Sequence, residues 1–216
     1  MSNDAAPAPP EAAFGPSEFQ ARTGASDAAL ADLARYRELL VEWNERMNLV
    51  GPSAVAEFWL RHAYDSAQLL DHAPDAKMWA DLGAGAGFPG VVLAIMGKER
   101  RIRLQLVDSL QKRCRFLEAV ADELKLPVEI HHARAETFRR KDVEIVTARA
   151  LAPLPRLLGY AEPLLKSGAI GLFLKGEAVE AELTEARKHW TFQHALSPSL
   201  SDSRGRILKL WSVSRV

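Results

Sequence analysis

Met78-Trp79-Ala80-Asp81-Leu82-Gly83-Ala84-Gly85-Ala86-Gly87-Phe88-Pro89-Gly90 is the stretch on which the fold turns. It runs from an apolar segment through three alternating glycines into a proline and a second apolar segment. Met78–Leu82 reads as a buried strand, and residues from about 89 to 96 read as a helix with Pro89 in its first turn, where a missing N–H leaves no bond unmade. The glycines allow positive φ and let backbone approach a ligand closely. A strand, a glycine turn and a helix in that order open the ligand site of many parallel α/β sheets, at the carboxyl ends of the strands.

Downstream of Lys77 the same alternation continues. Short apolar runs at Ile102–Val107, Val128–His131, Val143–Thr147 and Ala169–Leu174 predict further strands, separated by helices near 110–125 and 153–165. A last helix near 177–189 precedes Phe192–Leu196 and Ile207–Val213, which have only the Ser/Pro-rich 197–205 between them and so predict a hairpin at the sheet edge. The expectation is an α/β, Rossmann-like sheet of seven strands, mostly parallel with an antiparallel edge strand, over residues 77–216. Upstream, Leu33, Tyr36, Leu40, Trp43 and Met47 recur at helical spacing from an N-cap at Ser26 to about Arg46, and Val55, Trp59, His62, Ser66 and Leu69 repeat it before Pro74. These predict an N-terminal helical cap over 26–76, with 26–216 forming one compact unit. Residues 1–25, rich in alanine and proline, read as a disordered tail.

The glycine spacing discriminates among ligands. A dinucleotide site needs G-x-G-x-x-G, and position 88 is Phe88; a triphosphate loop needs glycine where Val92 stands and Ser or Thr where Glu99 stands. Asp-x-Gly-x-Gly-x-Gly instead resembles an S-adenosylmethionine site. Asp81, Gly83, Gly85 and Gly87 are its candidate residues. Asp108, at the end of the second strand, can accept both hydroxyls of a ribose, with helix capping as the alternative. Asp81 sits by the ligand's ammonium or serves the turn.

The composition excludes other classes. A single cysteine, Cys114, permits neither an internal disulfide nor a thiolate zinc site, and the longest uncharged run, residues 82–97, is too short and too broken by glycine for a membrane helix. A cytoplasmic protein without a membrane partner is expected. The six histidines have no metal-ligand spacing, so no metal is expected. The 28 bases balance the 28 acids, but residues 1–30 hold four acids and one base, leaving 27 bases against 24 acids in the remainder. The bases cluster at Lys98/Arg100/Arg101/Arg103, Lys112/Arg113/Arg115, Arg139/Arg140/Lys141 and Arg204/Arg206/Lys209, as solvated edges or as a nucleic-acid footprint.

Seven motifs in order then carry a resemblance. They are Trp43-Asn44 with Asn48-Leu49; Arg61-His62-Ala63-Tyr64-Asp65-Ser66; the glycine loop ending Phe88-Pro89-Gly90; Asp108-Ser109 with Lys112-Arg113 and Phe116-Leu117; Ala133-Arg134-Ala135-Glu136; Ala148-Arg149-Ala150; and Lys175-Gly176. Together they resemble the bacterial small-subunit ribosomal RNA methyltransferase G family, also called glucose-inhibited division protein B, from about Trp43 to Lys209. Val50 departs from it where a hydroxyl residue is expected, and the Pro/Ala tail lies outside it.

The resemblance implies a class I S-adenosylmethionine-dependent methyltransferase fold and methyl transfer to N7 of one guanine, guanine 527 in the 530 loop of 16S rRNA, presented as rRNA or a 30S subunit to a monomeric enzyme. It carries cofactor contacts onto Gly83, Phe88, Ala135, Glu136 and Arg149. A small-molecule methyltransferase is the alternative, since it would share the loop and Asp108 without needing the basic clusters.

Absences in the sequence fit that chemistry. Cys114 lies mid-helix, away from the ligand end of the sheet, and Arg149-Ala150-Leu151-Ala152 stands where an amino-group methyltransferase carries Asn/Asp-Pro-Pro-aromatic. Guanine N7 has a free lone pair and needs no base, so no catalytic residue is named. Candidate RNA or substrate residues are Asn44, Arg61, His62, Lys112, Arg113, Lys175 and Arg204. Each has a plainer reading: Asn44 as a cap, Arg61 as the surface partner of Asp65, His62 as a core residue.

Overall fold

The computed structural model describes residues 14–216. The expected structureless tail ends earlier than residue 25. Pro16–Thr23 forms helix α1, which starts with Pro16 in its first turn and Gly15 N–H bonded to Glu18, and stops at Gly24 with φ +66°. Its anchor is Phe19, fully buried and 5.6 Å from the ring of Trp59. The rest of the expected tail, residues 1–13, lies outside the described residues.

Helix α2 (Asp27–Met47) matches the first expected cap helix, with the Ser26 hydroxyl accepting from Ala29 N–H. The second expected helix is broken. After α3 (Pro52–Ala56) the chain makes a wide π-helical turn over Phe58–Tyr64, a short α4 (Asp65–Ala67) and a 3₁₀ turn over Gln68–His72. Helical spacing in sequence does not distinguish 3.6 residues per turn from looser or tighter winding over so short a stretch.

The sheet has seven strands: β1 (Met78–Leu82), β2 (Arg103–Asp108), β3 (Val128–His132), β4 (Ile145–Arg149), β5 (Ile170–Lys175), β6 (Trp190–Pro198) and β7 (Arg206–Arg215), in the order β3-β2-β1-β4-β5-β7-β6. The first five pair in parallel. β7 runs antiparallel to both β5 and β6, so the expected hairpin closes that edge. The strand near 143–147 is displaced two residues, ending at Arg149 in place of Thr147, and the last helix is shorter than 177–189.

Helices α5 (Gly90–Gly97) and α6 (Gln111–Leu124) join the cap in one core, to which β1 contributes Trp79. Helices α7 (Leu154–Lys166) and α8 (Val179–Ala186) cover the other face, packing on Met78, Ala80 and Leu82. The alternation along β1 is the period-2 signature of a strand buried on both faces. Strand order reverses between β1 and β4, which is where an open α/β sheet parts to form a crevice.

Candidate functional site

The glycine loop leaves β1 with three positive φ angles, +71° at Gly83, +60° at Gly85 and +99° at Gly87. A Cβ at Gly83 would also lie 2.6 Å from Leu151 Cδ1, so the leucine would have to shift to admit one. The loop holds its own backbone tightly. The N–H groups of Gly83 and Ala84 both donate to Val107 O, at 2.8 and 3.0 Å, and that of Gly87 donates to Ala84 O at 2.7 Å. Gly85 N–H donates to Asp108 Oδ2 at 2.9 Å. Amides committed in this way do not form the open nest a phosphate needs.

A cavity of about 520 Å³ opens over the loop. Gly83, Gly85, Phe88, Asp108, Ala135, Glu136 and Arg149 all line it, so seven of the nine cofactor candidates converge on one place. The exceptions are Asp81 and Gly87. Asp81 is fully buried under the loop, its oxygens accepting from Gly90 N–H at 2.9 Å and the Thr147 hydroxyl at 3.1 Å. Burial raises its carboxyl to about 7, against those two bonds, which favour ionisation. That is the turn-serving alternative, and it places no carboxylate at a ligand's ammonium. Gly87 turns away from the cavity, packed against Val91 and Tyr36.

Asp108 is nearly buried at the cavity floor, accepting from Gly85 N–H and from Leu110 N–H at 2.8 Å, with Arg113 Nη1 at 3.5 Å. Oδ1 keeps a second acceptor direction for a ribose hydroxyl, and that of Oδ2 opens where Arg113, 3.5 Å away, gives way. The residues therefore suit a phosphate-free nucleoside: amides that are already bonded, an acid at the ribose position, and Glu136 on the 3₁₀ turn Ala135–Thr137 at the far wall.

A second cavity of about 750 Å³ adjoins the first, sharing Arg149, Ala150 and Leu151 with it. Arg61, His62, Asp65, Lys175, Glu182, Ser201 and Asp202 contribute to its lining. His62 stacks on Phe88 at 4.7 Å between centroids, and the Arg149 guanidinium lies 5.0 Å from the centre of the same ring. The Phe88 ring thus joins the loop, the cap and β4. His62 Nδ1 is buried without a hydrogen-bond partner, and burial together with Arg149 and Arg61 lowers its pKa to about 4. The plain core reading of His62 does not cover this.

The remaining substrate candidates separate. Arg61 pairs with Asp202 at 2.6 Å and not with Asp65, because the π-helical turn alters the spacing that would bring them together. Asp65 Oδ1 instead accepts from Ser199, Ser201 and Gln68, and Asp65 Oδ2 lies 3.9 Å from Arg149. Lys175 is nearly buried, its ammonium 2.5 Å from Glu182 and 3.2 Å from Ala152 O. Asn44 lines neither cavity; its Oδ1 accepts from Val50 N–H at 2.9 Å, which is the capping role. Lys112 reaches Met47 O at 3.2 Å and lines neither cavity, while Arg113 belongs to the first. Arg204 is exposed on the β6–β7 loop.

Sequence reasoning missed Tyr36, Asp65 and Asp202 as site residues. Tyr36, read only as part of an apolar stripe, is buried and donates its hydroxyl to Ala86 O within the glycine loop. A phenol on an apolar stripe has a polar tip that wants a partner when buried, and this was the available signal.

Comparison with known proteins agrees with this architecture. The chain is 60% identical over 208 residues to the ribosomal RNA small subunit methyltransferase G of Caulobacter vibrioides strain NA1000 / CB15N, covering 96% of each chain. It is 48% identical over 184 residues to that of Methylorubrum populi, covering 84% of this chain and 87% of the relative. Among solved structures it resembles a SAM dependent methyltransferase from Aquifex aeolicus, with a TM-score of 0.54 at 14% identity over 78% of this chain and 96% of the other. It also resembles M. jannaschii TYW2 in complex with AdoMet, with a TM-score of 0.52 at 11% identity over 70% and 75% of the two chains. These two likenesses concern the fold. The family model for GidB, rRNA small subunit methyltransferase G, matches residues 29–207, and the chain belongs to that family.

Proposed function

We propose that the protein transfers a methyl group from S-adenosylmethionine to N7 of guanine 527 in the 530 loop of 16S rRNA, acting as a cytoplasmic monomer on the RNA of the 30S subunit. The observation that carries the reading is the wall of Arg149, Ala150 and Leu151 common to the two cavities, which lets a donor in one meet a base in the other. S-Adenosylmethionine, when bound, supplies an electrophilic methyl on a sulfonium. Asp108 would hold its ribose, and the Ala135–Glu136 turn and the glycine loop its adenine and backbone-facing edges. Arg149 would meet its carboxylate end.

The second cavity is suited to a nucleophile that needs no deprotonation. No cysteine lines it, His62 with a pKa of about 4 takes up a proton poorly, Asp65, Asp202 and Glu182 are engaged by hydroxyl or basic partners, and Glu57, the other acid of the lining, is exposed to solvent. Guanine N7 presents its lone pair directly, and the protein's work is alignment and the exclusion of water. A base must leave its stack to enter such a cavity.

The test is methyl transfer from labelled S-adenosylmethionine to 30S subunits lacking the modification, followed by borohydride and aniline cleavage. One cleavage in the 530 loop is expected. Cofactor binding without any rRNA label would overturn the substrate.

A further inference from the structure

Asp202 differs from the other acids of the second cavity in having two guanidinium groups at its carboxylate, from two elements. Its Oδ2 lies 2.6 Å from Arg61 Nη1, on the π-helical turn of the cap. Its Oδ1 accepts from the Arg204 backbone N–H at 3.0 Å and lies 3.9 Å from Arg204 Nε, on the β6–β7 loop. Two guanidinium groups and a backbone amide converging on one anion are the donors that recognise a phosphate.

The loop that presents Asp202 is rigidly held. Ser199 and Ser201 are buried and donate to Asp65 Oδ1 at 3.0 and 2.6 Å, and Leu200 N–H donates to Gln68 Oε1 at 2.9 Å. Those bonds stop short of Asp202, whose carboxylate is held, among the described residues, by the arginines and its own turn. Asp202 can therefore rotate away without dismantling the loop.

We infer that Arg61, the Arg204 amide and the Arg204 guanidinium form a subsite for a backbone phosphate of the RNA strand that carries the target base, and that the Asp202 carboxylate holds that subsite in the free protein. The inference rests on the function proposed above. An incoming phosphate must displace an internal anion, so a strand that offers phosphate alone gains little there. One that also places a base in the cavity gains both contacts. This opposes non-specific binding to other RNA, and it is consistent with a chain whose formal charge is zero.

Asp202→Asn keeps an acceptor for the Arg204 amide, removes the charge, and turns the oxygen that faces Arg61 into an N–H donor. Its affinity for a single-stranded RNA of unrelated sequence, measured by fluorescence anisotropy across a salt series, should rise roughly three- to tenfold, with the slope of log K against log salt steeper by about one. The same substitution in an Arg61→Gln background should yield no such gain, a coupling that general loosening of the loop would not produce. Unchanged or weaker binding by Asp202→Asn, or a gain that persists in full without Arg61, overturns the subsite. Methyl transfer by the unaltered protein to subunits lacking the modification tests the parent reading separately, since transfer with an unchanged Asp202→Asn salt slope defeats the subsite alone.

Discussion

Tyr36 is fully buried on α2, in ring contact with Phe58, Phe88 and Phe116, and its hydroxyl is bonded to Ala86 O. The Tyr36→Phe variant keeps the packing and leaves that carbonyl without its donor. It should lose about 1 kcal/mol of stability in urea unfolding. Cofactor affinity should fall severalfold by calorimetry because the loop is no longer tied to the cap; unchanged affinity would confine Tyr36 to the core. Asp81 and His62 make opposite contributions to pH dependence. Asp81 is raised from 3.8 to about 7, so the folded chain holds the extra proton between those values, and the stability it contributes at low pH is lost as pH rises through that window. His62 is lowered from 6.5 to about 4, so its contribution is present above 6.5 and lost as pH falls towards 4. In Asp81→Asn only the histidine slope of this pair survives. The unfolding midpoint of that variant should climb relative to the unaltered protein from pH 4 to 7, and a constant difference across the range would contradict the raised carboxyl.

Helix α5 starts where β1, β2 and the glycine loop meet, and Gly90 is the residue that makes this possible. A Cβ there would collide with Leu106 Cδ2 and lie 2.7 Å from Asp81 Oδ2, both fully buried. Gly90→Ala should therefore cost about 2 kcal/mol through overpacking, read as a lower urea midpoint at constant slope; a neutral result would mean that the helix can slide away from β2. The strands around this junction were legible because buried parallel strands are short apolar runs between glycine or polar breaks, and the loop was legible because three alternating glycines have few other uses. What was not legible followed from local signals that composition masked. In α1, Pro16, Glu18 and Gly24 mark a helix, but alanine and proline around them suggested none, and one phenylalanine carries its anchoring. β4 runs past Thr147 to Arg149, a charge that reads as loop but is half-buried between Phe88 and Asp65. The roles of Asp65 and Asp202 were not legible, since Ser199, which donates to Asp65, lies 134 residues along the chain from it, and Arg61, which pairs with Asp202, lies 141 residues from it.

The placement of charge over the whole molecule decides which basic residues can meet RNA. Both cavities open at the carboxyl ends of the parallel strands, around Gly83, Asp108, Arg149 and Lys175. The cluster Lys98/Arg100/Arg101/Arg103 leads into the amino end of β2, opposite that face. Lys98 is bonded to Asp32 and Leu124 O there, and Arg100 to Pro74 O. Arg140 is likewise engaged, by Glu129 and Asp142. Only Lys112/Arg113/Arg115, at the start of α6, and Arg204/Arg206, entering β7, stand at the cavity end, with Lys112 and Arg115 exposed. Two of the four clusters read from the sequence thus face away from the substrate or are tied to acids. Phosphate contacts add through counterion release, and the contributions of separate sites are nearly independent. Lys112→Glu with Arg115→Glu should therefore weaken RNA binding and reduce the salt slope by about two, whereas Arg101→Glu with Arg103→Glu, an equal change of net charge, should leave the slope unaltered. Equal losses from the two pairs would mean that net charge alone governs binding and that the polarity of the molecule plays no part in how RNA approaches it.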